Sequence, residues 1–377
     1  MGLLFFINGY VFTPLLIAII LLGLSYIILI ILSTYLRITD KKRRLNRKRL
    51  QKFINPSIIA YLEGFKTKKM VETELTTGQA IVLFEELIFN HIDTLQGSEK
   101  QRLSDLLKIP KLYNFRYNQL FSKKKSDIVS ACLYFQYCSV YKESVKNRLL
   151  NLLDYPDHII VHGAASALMT NQEVSAREII LRKVAKHEWI SSMALIELMY
   201  KFVHLEQEQM ENEITSLKRT LMDSEIPERN LAVIVKAVVD MGYAPLVEFL
   251  NYYYINNKRE DPDGELKGSL ILTLGIFQYL VKTREYVVKE YRSELHYVRR
   301  ACAIYFGETG DPGYTAYLIE LAKDEYIDVR IEALYALIKL GNPGIYAIKH
   351  LIEEGQFNYT AINSIKYLDY NRNWKTP

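Results

Sequence analysis

A chain of 377 residues, 49% hydrophobic and 24% charged, is too apolar for a disordered protein and long enough for two compact domains or one elongated one. Its net charge of +5 sits in one place: Arg37–Lys52 holds nine basic residues against the single acid Asp40, a net of +8, which leaves the remainder at −3. A slightly acidic remainder argues against nucleic acid as the main partner, because phosphate binding requires a basic face.

In chain order, the first element is a membrane span. Residues 1–36 contain no Lys, Arg, Asp or Glu, and Pro14–Leu36 is almost wholly aliphatic. Its 23 residues make roughly 34 Å of helix, enough for a hydrocarbon core of about 30 Å. Thr13-Pro14 is a plausible helix start, with Asn8, Tyr10 and Phe12 at one interface and Tyr35 at the other. A cleaved signal is disfavoured, since no basic segment precedes the apolar stretch and no small-x-small site follows it. Phe6 stands where a myristoylation motif needs Ser or Thr. The basic flank predicts a single-pass protein of the cytoplasmic membrane, N-terminus outside and C-terminal region cytoplasmic.

Residues 37–56 form a basic juxtamembrane segment. Lys41, Lys42, Arg43, Arg44, Arg47, Lys48 and Arg49 read as a stop-transfer signal and, in a second reading, as contacts to anionic lipid headgroups. Leu45, Leu50, Phe53 and Ile54 interleave with them, which predicts a helix lying near the membrane until Asn55-Pro56 breaks it.

Beyond Pro56 apolar residues recur at three and four, the period of amphipathic helices, and no convincing strand appears. Thr77, Ser98 and Ser126-Asp127 precede helical runs. Residues 57–150 are read as a helical cap or diverged repeats, and 151–377 as a repeat array. The best evidence for repetition is at the end of the chain. Val298-Arg299-Arg300-Ala301 leads to Gly310-Asp311-Pro312-Gly313, and Val329-Arg330-Ile331-Glu332-Ala333 leads to Gly341-Asn342-Pro343-Gly344, at a constant offset of 31 residues. A period near 30 with two helices per unit marks an α-solenoid. Glu228–Pro245 and Ile159–Asn171 look like degenerate copies of the second helix, and Leu266–Leu280 is a further candidate.

At Asp328-Val329-Arg330, Ala333–Leu337 and Leu340-Gly341-Asn342-Pro343 the chain resembles bacterial HEAT-like repeat proteins over about Val298–Gly355. The preceding unit departs, with Tyr297 at the family's Asp position and Thr309 before Gly310 instead of Leu. The resemblance implies a curved stack of antiparallel helices used as a binding surface, so the fold expected for the whole chain is all-α, the transmembrane helix read above followed by a solenoid of HEAT-like helical pairs. It also implies that Asp328 and Arg330 join neighbouring repeats, and Ala164, Ala165, Ala167, Ala333 and Ala336 read as close helix contacts. The function it suggests is a membrane-tethered scaffold binding a membrane-associated protein, with an envelope or polysaccharide-synthesis assembly as the client considered. The alternative is a HEAT-like enzyme or small-ligand binder of the lyase type.

The chain offers little chemistry to support that alternative. His158 and His162 share a helical face, but zinc needs three or four convergent ligands and no third is evident. Asp261-Pro262-Asp263-Gly264 lacks the rest of a calcium loop, and no GxxxxGK[ST], GxSxG or GxGxxG occurs. Cys132, Cys138 and Cys302 form no CxxC pair, as expected of reduced, buried thiols. No catalytic, cofactor or metal residue is therefore assigned. Tyr252, Tyr253, Tyr254, Tyr279 and Tyr291 are the candidates for protein binding, because tyrosine offers a broad ring and a polar tip at small entropic cost.

Overall fold

The computed structural model describes residues 2–92, 94–138, 142–170, 174–203, 207–257, 259–279 and 283–355, with side chains from Ile20 onward except those of 207–209. Among them the chain is all-helical, with no strand. It divides into two compact units, 1–119 and 120–377.

The first unit is built on α1 (Gly2–Leu62), with α2 (Lys68–Glu74), α3 (Gly78–Ile92), α4 (Gly97–Leu107) and α5 (Pro110–Gln119). Two expectations about α1 are corrected. The helix begins at Gly2 and passes through Thr13-Pro14, and it also passes through Asn55-Pro56 without a break. A proline inside a helix removes one backbone bond, at a cost of about 3 kcal/mol. Burial of Ile54, Ser57 and Ile58 around Pro56 offsets that cost, because this end of α1 packs on α2, α3 and α4. Thr77 caps α3 as expected, its hydroxyl accepting from the Ala80 amide at 3.2 Å.

Inside this unit Arg116 Nε donates to Glu85 at 2.6 Å, and both side chains are buried. Burial pushes the Glu85 carboxyl up to about 7 against the opposing pull of Arg116. The folded chain therefore keeps a proton on Glu85 between about pH 4.5 and 7, where the unfolded chain has lost it. The resulting stability is complete below the ordinary carboxylate range and is lost as pH rises to 7, on the order of 3 kcal/mol in all. Urea unfolding of wild type and Glu85→Gln at pH 4.5 and pH 8 checks this. Wild type should lose stability relative to the variant as pH rises, and a difference independent of pH would contradict it.

The second unit is a two-layered stack. One layer consists of α6 (Lys125–Tyr137), α8 (His158–Met169), α10 (Ser192–Phe202), α12 (Glu228–Asp240), α14 (Glu265–Ile276), α16 (His296–Thr309) and α18 (Ile327–Lys339), each packed on the next of the series. The other holds α7 (Glu143–Leu152), α9 (Val174–Ala185), α11 (Gln207–Leu221), α13 (Val247–Asn256), α15 (Thr283–Glu290), α17 (Thr315–Leu321) and α19 (Asn342–Glu353). Within it α9 packs on α11, α13 on α15 and α17 on α19. This is the helical-pair solenoid expected, and the three degenerate copies coincide with α8, α12 and α14 of the first layer. The stack begins at α6, upstream of residue 151, because α6 packs on α8 as closely as later members pack on one another.

Small residues let the first layer close up. A Cβ on Gly268 or Gly275 of α14 would collide with Tyr297 or Tyr305 of α16, and one on Gly307 would lie 2.7 Å from the Ala336 methyl. Arginines lock the turns. Arg299 donates to the Ser293 and Glu294 carbonyls at 2.8 and 3.0 Å, and Arg330, 31 residues on, donates to those of Asp324 and Glu325 at 2.7 and 2.9 Å. The bond between repeats differs from the expected one. Arg299 reaches forward to the Asp324 carboxylate at 2.6 and 2.9 Å, whereas Asp328 lies exposed in the first turn of α18.

Candidate membrane anchor and juxtamembrane groove

The first part of α1 is the one described helix long and apolar enough to cross a membrane. From Ile20 to Leu36 every side chain is exposed; Leu22, for instance, is 69% accessible. Such a surface is costly in water and favourable in hydrocarbon. Its serine and threonine hydroxyls suit that medium, because the helix itself satisfies them. Ser25 donates to the Leu22 carbonyl and Thr34 to the Ile30 carbonyl, each at 2.8 Å.

Lys41, Lys42, Arg43, Arg44, Arg47, Lys48 and Arg49 are all exposed on the continuation of this helix. They lie on one continuous helix with the apolar stretch, which runs on past Asn55-Pro56 without the expected break. At 1.5 Å per residue, Lys41–Arg44 lie about 8–12 Å beyond Leu36, while Lys48 and Arg49 lie about 18–20 Å beyond it.

Helical spacing also divides the run by face. Arg37, Lys41, Arg44, Lys48 and Lys52 form one stripe. On the other side Arg43, Arg47, Leu50 and Ile54 turn toward α3. There Arg47 pairs with Glu86, and Asn46 donates to the Gln79 side chain at 2.6 Å. Between the two helices lies an open groove of about 660 Å³. Leu50, Val82, Leu83 and Phe115 give it an apolar floor, and Arg43, Arg47, Gln79 and Glu86 supply its polar groups. Arg43 has no ion pair among the described residues.

No protein-family model and no curated protein matches this chain.

The tyrosines proposed for protein binding are mostly structural. Tyr253 and Tyr291 are buried, and the Tyr291 hydroxyl donates to Glu320 at 3.0 Å. Tyr254 and Tyr279 pack against the core of α14–α18, and burial raises the Tyr254 hydroxyl far above its usual range. Only Tyr252 is exposed, at 60%. Consecutive positions on α13 point a third of a turn apart, so three adjacent tyrosines cannot share one face.

The remaining polar candidates have packing roles. His162 Nε2 lies 3.1 Å from Glu197, joining α8 to α10, while His158 is exposed. Burial lowers the His162 pKa, partly countered by Glu197. No group of three metal-capable side chains occurs among the described residues. Asp261 accepts from the Lys267 amide at 2.7 Å and so ties down the start of α14. All three thiols are buried, and burial pushes Cys132 up to about 12, which makes it a poor nucleophile.

Proposed function

We propose that this chain is a single-pass membrane-tethered scaffold of the bacterial cytoplasmic membrane. α1 crosses the bilayer with its N-terminus outside, and the helical stack presents a surface to a membrane-associated protein on the cytoplasmic side. The observation that carries the reading is the exposed apolar sleeve Ile20–Leu36, followed on the same helix by a basic flank. A cleaved signal fits poorly, because α1 runs on without interruption into a folded unit that buries Ile54 and Ile58.

The stack reads as HEAT-like on its 31-residue spacing and on the equivalent turn bonds of Arg299 and Arg330. Such arrays bind along a surface and not at one catalytic residue. Confinement to the membrane raises the effective concentration of a membrane partner, so a weak contact suffices. An envelope or polysaccharide-synthesis assembly remains the client proposed.

Crosslinking and affinity purification from native membranes, beside a form lacking residues 1–36, tests this reading. The full chain should recover a stoichiometric membrane protein that the truncated form recovers weakly or not at all. Equal recovery by both forms, or a small molecule in place of a protein, would contradict it.

A further inference from the structure

The groove between α1 and α3 combines three properties. It is built partly from the anchoring helix, and its nearest cation, Arg43, lies about 10 Å past the end of the apolar sleeve. Arg43 also keeps its guanidinium unpaired, whereas Arg47 is neutralised by Glu86. Above Arg43 the walls hold Gln79 and Glu86, whose oxygens already accept from Asn46 and Arg47 but keep further lone pairs for a hydroxyl, over an apolar floor of Leu50, Val82 and Phe115. An unpaired guanidinium suits a phosphodiester, and carboxylate and amide oxygens beside apolar carbon suit a hydroxylated group.

We propose that this groove binds the headgroup of an anionic phospholipid from the bilayer that α1 crosses. Arg43 holds the phosphate while the acyl chains stay in the membrane, and a hydroxylated headgroup such as glycerol enters the groove toward Gln79 and Glu86. The first turn of α3, whose Gly78 and Gln79 line the same space, adds its positive end. This goes beyond general attraction of a basic run to an acidic surface. Such attraction counts charges, whereas the groove selects one face of α1 and one kind of headgroup.

The inference rests on the membrane reading above, and the test keeps the two apart. The full-length chain is placed in lipid nanodiscs of phosphatidylcholine containing either phosphatidylglycerol or phosphatidic acid, and lipids retained after gentle delipidation are counted by native mass spectrometry. Wild type should retain phosphatidylglycerol in preference to both other lipids. Arg43→Ala, which loses the phosphate ligand, and Val82→Trp, which fills the groove without changing charge, should each reduce that retention about tenfold. Arg44→Ala and Lys48→Ala, on the opposite stripe, should leave it nearly unchanged.

Equal losses in all four variants would overturn the groove in favour of diffuse charge attraction. Equal retention of all lipids, or no effect of Val82→Trp, would overturn it in favour of another occupant such as an acidic peptide of a partner. Failure of the chain to enter nanodiscs at all would overturn the membrane reading itself.

Discussion

Replacing Arg299 by alanine should destabilise the end of the helical stack by about 3 kcal/mol, as measured by urea unfolding of a form lacking residues 1–36 and by hydrogen exchange in α16 and α18. The guanidinium makes a fork of two bonds to Asp324 and two more to the Ser293 and Glu294 carbonyls, and it is largely buried. Its loss leaves a half-buried carboxylate short of its main partner and two turn carbonyls unsatisfied. Arg330→Ala removes only the two carbonyl bonds of the equivalent turn and should cost about 1–2 kcal/mol. Equal effects would mean that the link between repeats adds nothing. Asp324 gives the same interaction a pH signature. Burial pushes its carboxyl up, but the Arg299 bonds and the Tyr326 amide outweigh that and hold it below its ordinary value of 3.8. The stability it supplies is therefore present above that value and is lost as the pH falls through the folded-state pKa.

A second large loss is expected from Gly344→Ala. A Cβ at this position would lie 1.8 Å from the Leu337 carbonyl oxygen and 2.6 Å from its carbon. Both belong to the backbone of α18, so no side-chain rotation relieves the clash and α19 must move away from α18. The cost should reach about 3 kcal/mol or more, at the upper end for an overpacked site. Gly341→Ala, in the same turn, makes a useful comparison. Its added methyl meets nothing within 4 Å, but φ +71° and ψ −137° belong to a region open essentially to glycine alone. It should cost about 1–3 kcal/mol by strain, without separating the two helices. Exchange of α19 amides distinguishes them: Gly344→Ala should expose α19 selectively.

The turn Gly341–Gly344 was legible because both of its constraints fall on glycine, and the same holds for Gly310, whose φ of +66° ends α16. That is why the repeat is plain at the end of the chain and faint before it. Upstream the signature is patchy: α12 still ends before Gly242 (φ +62°) and Pro245, but α8 ends in Thr170 and α10 in Val203, with no glycine and proline to give the period. The copies at α8, α12 and α14 are recognisable by their small and aliphatic residues, Ala164, Ala165, Ala167, Ala232, Ala237, Gly268 and Gly275 among them. α10 carries the bulky Met193 and Tyr200 on its open side and was missed.

The long exposed apolar helix was legible from composition alone, since charge and hydropathy need no tertiary context. The continuity of α1 through Pro56 was not legible, because a local rule for proline cannot anticipate that three other helices pack around that turn. The same limit applies to the groove. Gln79, Val82 and Glu86 share a face of α3 at helical spacing, yet nothing in the sequence places that face against Arg43 and Arg47, more than thirty residues earlier. Tyr252–Tyr254 failed for the opposite reason: residue type suggested a surface, and position on the helix decided burial.

If α1 holds the helical body on the cytoplasmic side of a membrane, the bilayer shields that body from protease added outside. The most direct test expresses the full chain with a C-terminal tag, extracts its membranes with alkaline carbonate, and treats intact spheroplasts with protease. The chain should stay in the carbonate pellet and the tag should survive until the spheroplasts are permeabilised. Release by carbonate, or loss of the tag from intact spheroplasts, would contradict it.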